Sequence, residues 1–179
     1  MMRRFSILLL AIFLSASTPL IQAQEKPTPC PSWTVHFSPN GHCTQAIVQQ
    51  LDKAKTSILV QAYSFTSAPI AKALLNAHKR GVKVQVILDK SQRREKYSSA
   101  DFLAHAGIPT LIDAAHAIAH NKVVVLDGDT VITGSFNFTR AAEEKNAENL
   151  LVIKGKTLAE KYTENWREHA GHSEAYAGR

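Results

Sequence analysis

The stretch His120-Asn121-Lys122-Val123-Val124-Val125-Leu126-Asp127 decides how this chain is read. Val123, Val124 and Val125 are β-branched and Leu126 extends the apolar run, so His120 to Leu126 predicts a buried strand. Side chains two apart on a strand share a face, which sets the imidazole of His120 beside the ammonium of Lys122. Asp127-Gly128-Asp129 supplies a turn, and Thr130-Val131-Ile132-Thr133 reads as a second short strand. Gly134-Ser135-Phe136-Asn137 follows, completing a pattern H-x-K-x4-D-x6-G-S-x-N that occurs once. This is equipment for a phosphate. Imidazole attacks or protonates, while the Lys122 ammonium and the Ser135 and Asn137 donors hold non-bridging oxygens.

Outward from this hairpin, strands alternate with helices. Trp33 to Phe37 alternates as a first strand, and Cys43 to about Lys55 carries Ile47, Val48 and Leu51 on one helical stripe. Ser57 to Tyr63 is a buried strand. Ala68 to Arg80 is a helix with Pro69 in its first turn and Gly81 as its stop. Val82 to Leu88 forms a strand ending at Asp89, Ser99 to Ala106 a short helix, and Pro109 to Ile112 a short strand. A helical turn near Thr139 to Glu144, a strand from Asn149 to Ile153 and a terminal helix from Thr157 to Ala170 complete the chain. Leu158, Tyr162 and Trp166 make the stripe of that last helix. The order predicts an α/β/α sandwich around a mixed, mainly parallel sheet.

The chain has 179 residues, one domain by length, and 45% hydrophobic residues, which suit a packed core and exclude a disordered chain. Residues 1 to 23 stand apart. Arg3 and Arg4 precede an apolar run from Phe5 to Leu14, and Ile21-Gln22-Ala23 reads as a cleavage site, which together predict a signal peptide and a periplasmic or secreted protein. The rival reading is a membrane anchor through residues 5 to 21, short for a span of roughly 20 residues. Residues 24 to 36 then form an extended leader and first strand, and 37 to 179 a single catalytic domain. Loss of Arg3 and Arg4 takes the net charge from +6 to +4, so the remainder stays basic and suits polyanionic partners. Cys30 and Cys43 are the two cysteines; in an oxidising compartment they predict one disulfide, with a stabilisation of about 3 kcal/mol.

The spaced motif resembles that of the phospholipase D superfamily, the HKD proteins, and in particular its short bacterial endonuclease branch called Nuc. The resemblance runs from about Phe37 to Trp166 and includes Ala62-Tyr63-Ser64-Phe65-Thr66, Arg80-Gly81-Val82, Gly134 to Thr139 and Asn146-Ala147-Glu148-Asn149. It implies a phospholipase D-like fold, His120 as nucleophile and Lys122 and Asn137 as phosphate ligands. Glu148 matches the carboxylate with which the family orients its histidine, as in triad logic. Asp127 lies five residues from Lys122, too far along a strand for chemistry, so it takes a structural role. Larger relatives carry two H-x-K copies in one chain, whereas Nuc-like members pair two chains. The resemblance therefore implies a homodimer in which two copies of His120 and Lys122 build one site without a metal or other cofactor.

Lys90, Arg93, Arg94 and Lys96, followed by Tyr97, form the densest basic cluster and lie just beyond a strand end. Such a loop suits a nucleic-acid backbone and a stacked base, although solvated basic loops are common. His116 and His120 are four apart, but no carboxylate completes a metal set near them, so no metal site is assigned; His169 and His172 show no partner pattern. The expected activity is a sequence-nonspecific endonuclease acting on DNA and also RNA. The alternative is hydrolysis of phosphatidylcholine-type lipids by the same chemistry.

Overall fold

The computed structural model describes residues 31–179. The expected signal peptide and Cys30 lie outside the described residues, as does the Cys30–Cys43 bridge; Cys43 itself is buried. In chain order the elements are β1 (Ser32–Ser38), α1 (Cys43–Lys53), β2 (Ser57–Ala62), α2 (Ala68–Lys79), β3 (Lys83–Asp89) and α3 (Ala100–His105). There follow β4 (Thr110–Asp113), β5 (Lys122–Leu126), β6 (Thr130–Gly134), α4 (Arg140–Glu144), β7 (Glu148–Lys154), α5 (Lys156–His172) and β8 (Glu174–Ala175). Lys90–Arg93, within the basic cluster, forms a 3-10 turn.

One eight-stranded sheet runs in the order β1-β7-β6-β5-β2-β3-β4-β8. The α/β sandwich and the mixed sheet are as expected, but its strands are not mainly parallel. Only β2–β3 and β3–β4 pair parallel; the other neighbours are antiparallel. The reason lies in the connections. Parallel pairing needs a crossover, and only α2 and α3 supply one between neighbouring strands. Asp127-Gly128-Asp129 instead turns β5 directly back as β6, with positive φ at Asp127 (53°) and Gly128 (68°).

The period of two along β5 splits its valines between two cores. Val124 and Leu126 face the side covered by α1 and α2, with Ile58 and Val60 of β2. Val123 and Val125 face α5, against Ala159, Leu158 and Tyr162. Trp166 donates its indole N–H to the Val60 carbonyl at 2.9 Å, tying α5 to the middle of the sheet. Strand β1 is an integral edge strand. Its alternate residues Trp33, Val35 and Phe37 remain exposed among the described residues, Trp33 at 67% and Phe37 at 63%.

Candidate active site

Strand β5 begins at Lys122 rather than His120. His120 and Asn121 precede it as extended chain, held in line because Tyr63 donates its backbone N–H to the Asn121 carbonyl at 2.9 Å. This continues the β2–β5 ladder by one rung, since Lys122 pairs with Ala62. The intended juxtaposition survives. The ring of Tyr63 lies 4.6 Å from that of His120, centroid to centroid, and 5.2 Å from the Lys122 Nζ. Imidazole, ammonium and phenol thus converge at the carboxyl end of β2, where α/β sheets place their ligands.

The two basic groups differ in environment. His120 is exposed and so free to meet a substrate, whereas Lys122 is buried and donates to the His120 main-chain carbonyl at 2.7 Å. Burial lowers the Lys122 pKa, and the carboxylate of Glu148 partly offsets that effect. Asp89, buried at the end of β3, accepts from the backbone N–H of Ala119 at 2.8 Å and of Ser91 at 2.8 Å. It therefore anchors the residue just before His120.

The Gly134-Ser135-Phe136-Asn137 loop reaches the same end of the sheet through its backbone. Phe138 accepts from the N–H groups of Thr66 and Ser67, both at 2.9 Å, and donates to the Ser64 carbonyl. Phe136 and Phe138 are buried, so they pin Asn137 between two core anchors. The Asn137 Oδ1 is buried with no hydrogen-bond partner among the described residues. A buried amide oxygen without a partner is costly and calls for a proton donor. Gly134, at φ 143°, lies so close to β7 that a Cβ there would sit 2.3 Å from the Asn149 carbonyl oxygen.

Two expected roles change. The hydroxyl of Ser135 donates to Glu148 at 2.6 Å and accepts from the Asn149 backbone at 3.1 Å, so its proton is committed inside the loop rather than offered to phosphate. Glu148 also accepts from Asn146 at 3.0 Å, and no hydrogen bond joins it to His120 among the described residues. The cause is register: Glu148 opens β7 opposite Ser38, where the Ser135 loop meets it. Its link to the site is electrostatic, through Lys122.

Asp127 follows β5 at the end opposite His120. Its carboxylate accepts from the backbone N–H groups of Lys55, Thr56 and Ser57 and from the Thr56 hydroxyl, joining the far end of β5 to the start of β2. In the basic cluster, Lys90 donates to the His116 carbonyl at 2.9 Å and Arg93 pairs with Glu174. Lys96 lies 5.3 Å from the Tyr97 ring centre, and neither it nor Arg94 has a carboxylate partner among the described residues. Tyr63, Lys90, Arg93, Arg94 and Ile118 line a hollow of about 500 Å³, so the basic cluster opens onto the ring that covers His120. Sequence reasoning missed Tyr63 and Asp89 as site residues. Each stands at the end of a parallel strand before a loop, which is the one signal that marks them.

Comparison with known proteins agrees with this geometry. The family described as "Cardiolipin synthase, PLD-like domain" matches residues 47–170. Phospholipase D of Rickettsia conorii is 49% identical over 130 residues, which are 73% of this chain and 65% of that relative's length. Among solved structures, Nuc of Salmonella typhimurium, a phospholipase D family member, has a TM-score of 0.79 at 42% identity, covering 82% of this chain and 98% of its own. NucT of Helicobacter pylori, with a TM-score of 0.75 at 23% identity over 82% of this chain and 99% of its own, shares the fold.

Proposed function

The chain belongs to the phospholipase D superfamily, and on that premise we propose that it is an exported, metal-independent phosphodiesterase cleaving DNA, and RNA as well, without sequence specificity. The observation that carries this reading is the convergence of an exposed His120 and a buried Lys122 on Tyr63, beside a basic hollow. His120 attacks phosphorus through an imidazole nitrogen. One P–O bond breaks as the N–P bond forms, and the leaving oxygen takes a proton from His120 of a second copy. That second imidazole then deprotonates water, which displaces phosphate from the phosphohistidine and frees both histidines. Lys122 and Asn137 of the two copies hold the non-bridging oxygens as charge develops on them.

One chain holds half of these groups, so the reading requires a homodimer with twofold symmetry. The exposed Trp33, Val35 and Phe37 supply an apolar stripe of the kind that oligomers cover. The Lys90, Arg93, Arg94 and Lys96 cluster with Tyr97 favours a nucleic-acid strand, as cations track phosphates and an aromatic ring accepts a base. A second reading, hydrolysis of phospholipid, is favoured by the name phospholipase D of the rickettsial relative.

The deciding experiment assays the protein with EDTA present, at 25 °C, on plasmid DNA, single-stranded DNA, RNA and phosphatidylcholine vesicles, with His120→Ala as control. Cleavage of nucleic acid alone, lost in His120→Ala, is the expected result. Turnover of vesicles alone establishes the lipid reading, and full activity of His120→Ala overturns the mechanism.

A further inference from the structure

A second group of ionisable side chains lies apart from His120 and Lys122. Asp113 ends β4, His116 follows it by three residues, and His169 and His172 come from the last turn of α5. The Asp113 carboxylate is fully buried, and its Oδ2 has three imidazole nitrogens around it. His169 Nδ1 is at 2.7 Å, His116 Nδ1 at 3.0 Å and His172 Nε2 at 3.4 Å. The other oxygen, Oδ1, accepts from the Ala115 backbone at 3.1 Å and lies 3.1 Å from the same His116 Nδ1. The three rings sit 4.9 to 5.2 Å apart, centre to centre.

Three imidazoles and one carboxylate gathered from β4, its following loop and α5 are a set of metal-ligand types at one point. The His116 ring bridges both carboxylate oxygens, while His169 and His172 approach Oδ2, so three imidazoles converge on one buried anion. A cation among the four residues accepts a lone pair from each. Their ligand atoms all lie within 4.8 Å of one another. Tetrahedral zinc with bonds near 2.0–2.1 Å separates its ligands by roughly 3.3 Å, so the atoms lying farthest apart, up to 4.8 Å, draw in by as much as about 1.5 Å through side-chain rotation on coordination. We infer that Asp113, His116, His169 and His172 form a binding site for one zinc ion.

Four protein ligands close the coordination shell, which marks a structural rather than a catalytic ion. The ion joins β4, the end of α5 and the loop that leads through Ala119 to His120. Lys90 and Asp89 already hold that loop from the basic side, through the His116 carbonyl and the Ala119 N–H. Zinc therefore stiffens the approach to His120 without touching substrate, and the phosphohistidine chemistry does not depend on it. The spacing D-x2-H with H-x2-H was legible in the sequence, but the 53 residues from His116 to His169 hid the pairing.

The test uses the untagged full chain, stripped with chelator and dialysed against buffered zinc. We expect one zinc per chain, and a rise in Tm of roughly 5–10 °C at free zinc a hundredfold above Kd. Cobalt in its place gives the visible bands of a tetrahedral site. His116→Ala, which alters the most exposed ligand, weakens binding by more than about 100-fold, beyond the effect of losing an outer-shell partner. His105→Ala, outside the cluster, leaves binding unchanged. Should His116→Ala fail to fold, the cobalt spectrum of the natural chain decides. Absence of stoichiometric zinc and of tetrahedral cobalt bands, with Tm insensitive to zinc, overturns the site and leaves a proton-linked carboxylate–imidazole network. None of these readouts involves phosphodiester cleavage, so their failure leaves the proposed activity standing.

Discussion

The ammonium of Lys122 donates to the main-chain carbonyl of His120, at 2.7 Å, while one tyrosine ring covers both side chains. The cation is thus positioned by the backbone of the residue it serves, and burial makes its charge costly.

That cost has a direction in pH. The lowered pKa means that Lys122 loses its proton below the ordinary lysine range near 10.4, so activity declines on the alkaline side earlier than an exposed lysine would dictate. Glu148→Gln removes the anion that favours the ammonium, so the alkaline limb of kcat/KM moves to still lower pH. Lys122→Gln costs about 10²–10³ in kcat, the usual loss for one transition-state donor. A pH–rate profile identical in Glu148→Gln and the natural chain contradicts this account.

A shared site makes subunit mixing nonlinear. Equal amounts of natural chain and His120→Ala, unfolded and refolded together, give about one quarter of the activity of the same total amount of natural chain rather than half, because only dimers with two natural copies hold both histidines. Phe37→Asp places a charge on the exposed stripe of β1 and shifts sedimentation toward the monomer, with loss of activity. A monomeric species that remains fully active refutes the shared site.

Asp127 acts on stability rather than turnover. Burial raises its pKa, but hydrogen bonds from Thr56, Ser57 and Lys55 outweigh that and the net shift is downward. Its contribution is therefore complete above the unfolded value near 3.9 and drains away as pH falls through the lower folded value. Asparagine tolerates the positive φ of 53° at this position, so Asp127→Asn isolates the charge. We expect a loss of about 1–2 kcal/mol at pH 7 in urea unfolding, a flatter acid limb and an unaltered kcat. A large fall in kcat would give Asp127 a part in the chemistry.

Gly134→Ala tests the loop that carries Asn137. The added Cβ meets the backbone of Asn149, and the backbone at φ 143° disfavours any side chain. Roughly 1–3 kcal/mol of stability is lost from strain alone, and activity falls further because the Asn137 amide moves. Thermal melts and plasmid cleavage at a temperature where the variant stays folded separate the two effects.

Much of the fold was legible because local patterns encode it. The valine run placed β5, Pro69 and Gly81 bounded α2, and the Leu158, Tyr162 and Trp166 stripe placed α5. The direction of most strand pairs was not, because periodicity says which residues are buried but not which strand lies beside which. The pairing of Ser135 with Glu148 was not legible for a related reason: by type one suits a phosphate and the other an imidazole, but the register of β7 against β6 faces them toward each other.

The chain's own residues, read in order, determined the chemistry on offer: an imidazole and an ammonium two apart, a returning polar loop, and a motif that occurs once. Those facts depend on covalent spacing and on the period of a strand, which are local. Only the tertiary structure decided that Tyr63 covers His120, that Asp89 holds Ala119, and that Asp113 gathers His116, His169 and His172. These contacts join segments far apart in the chain. Their geometry is set by strand order and helix packing, which no short stretch of sequence contains.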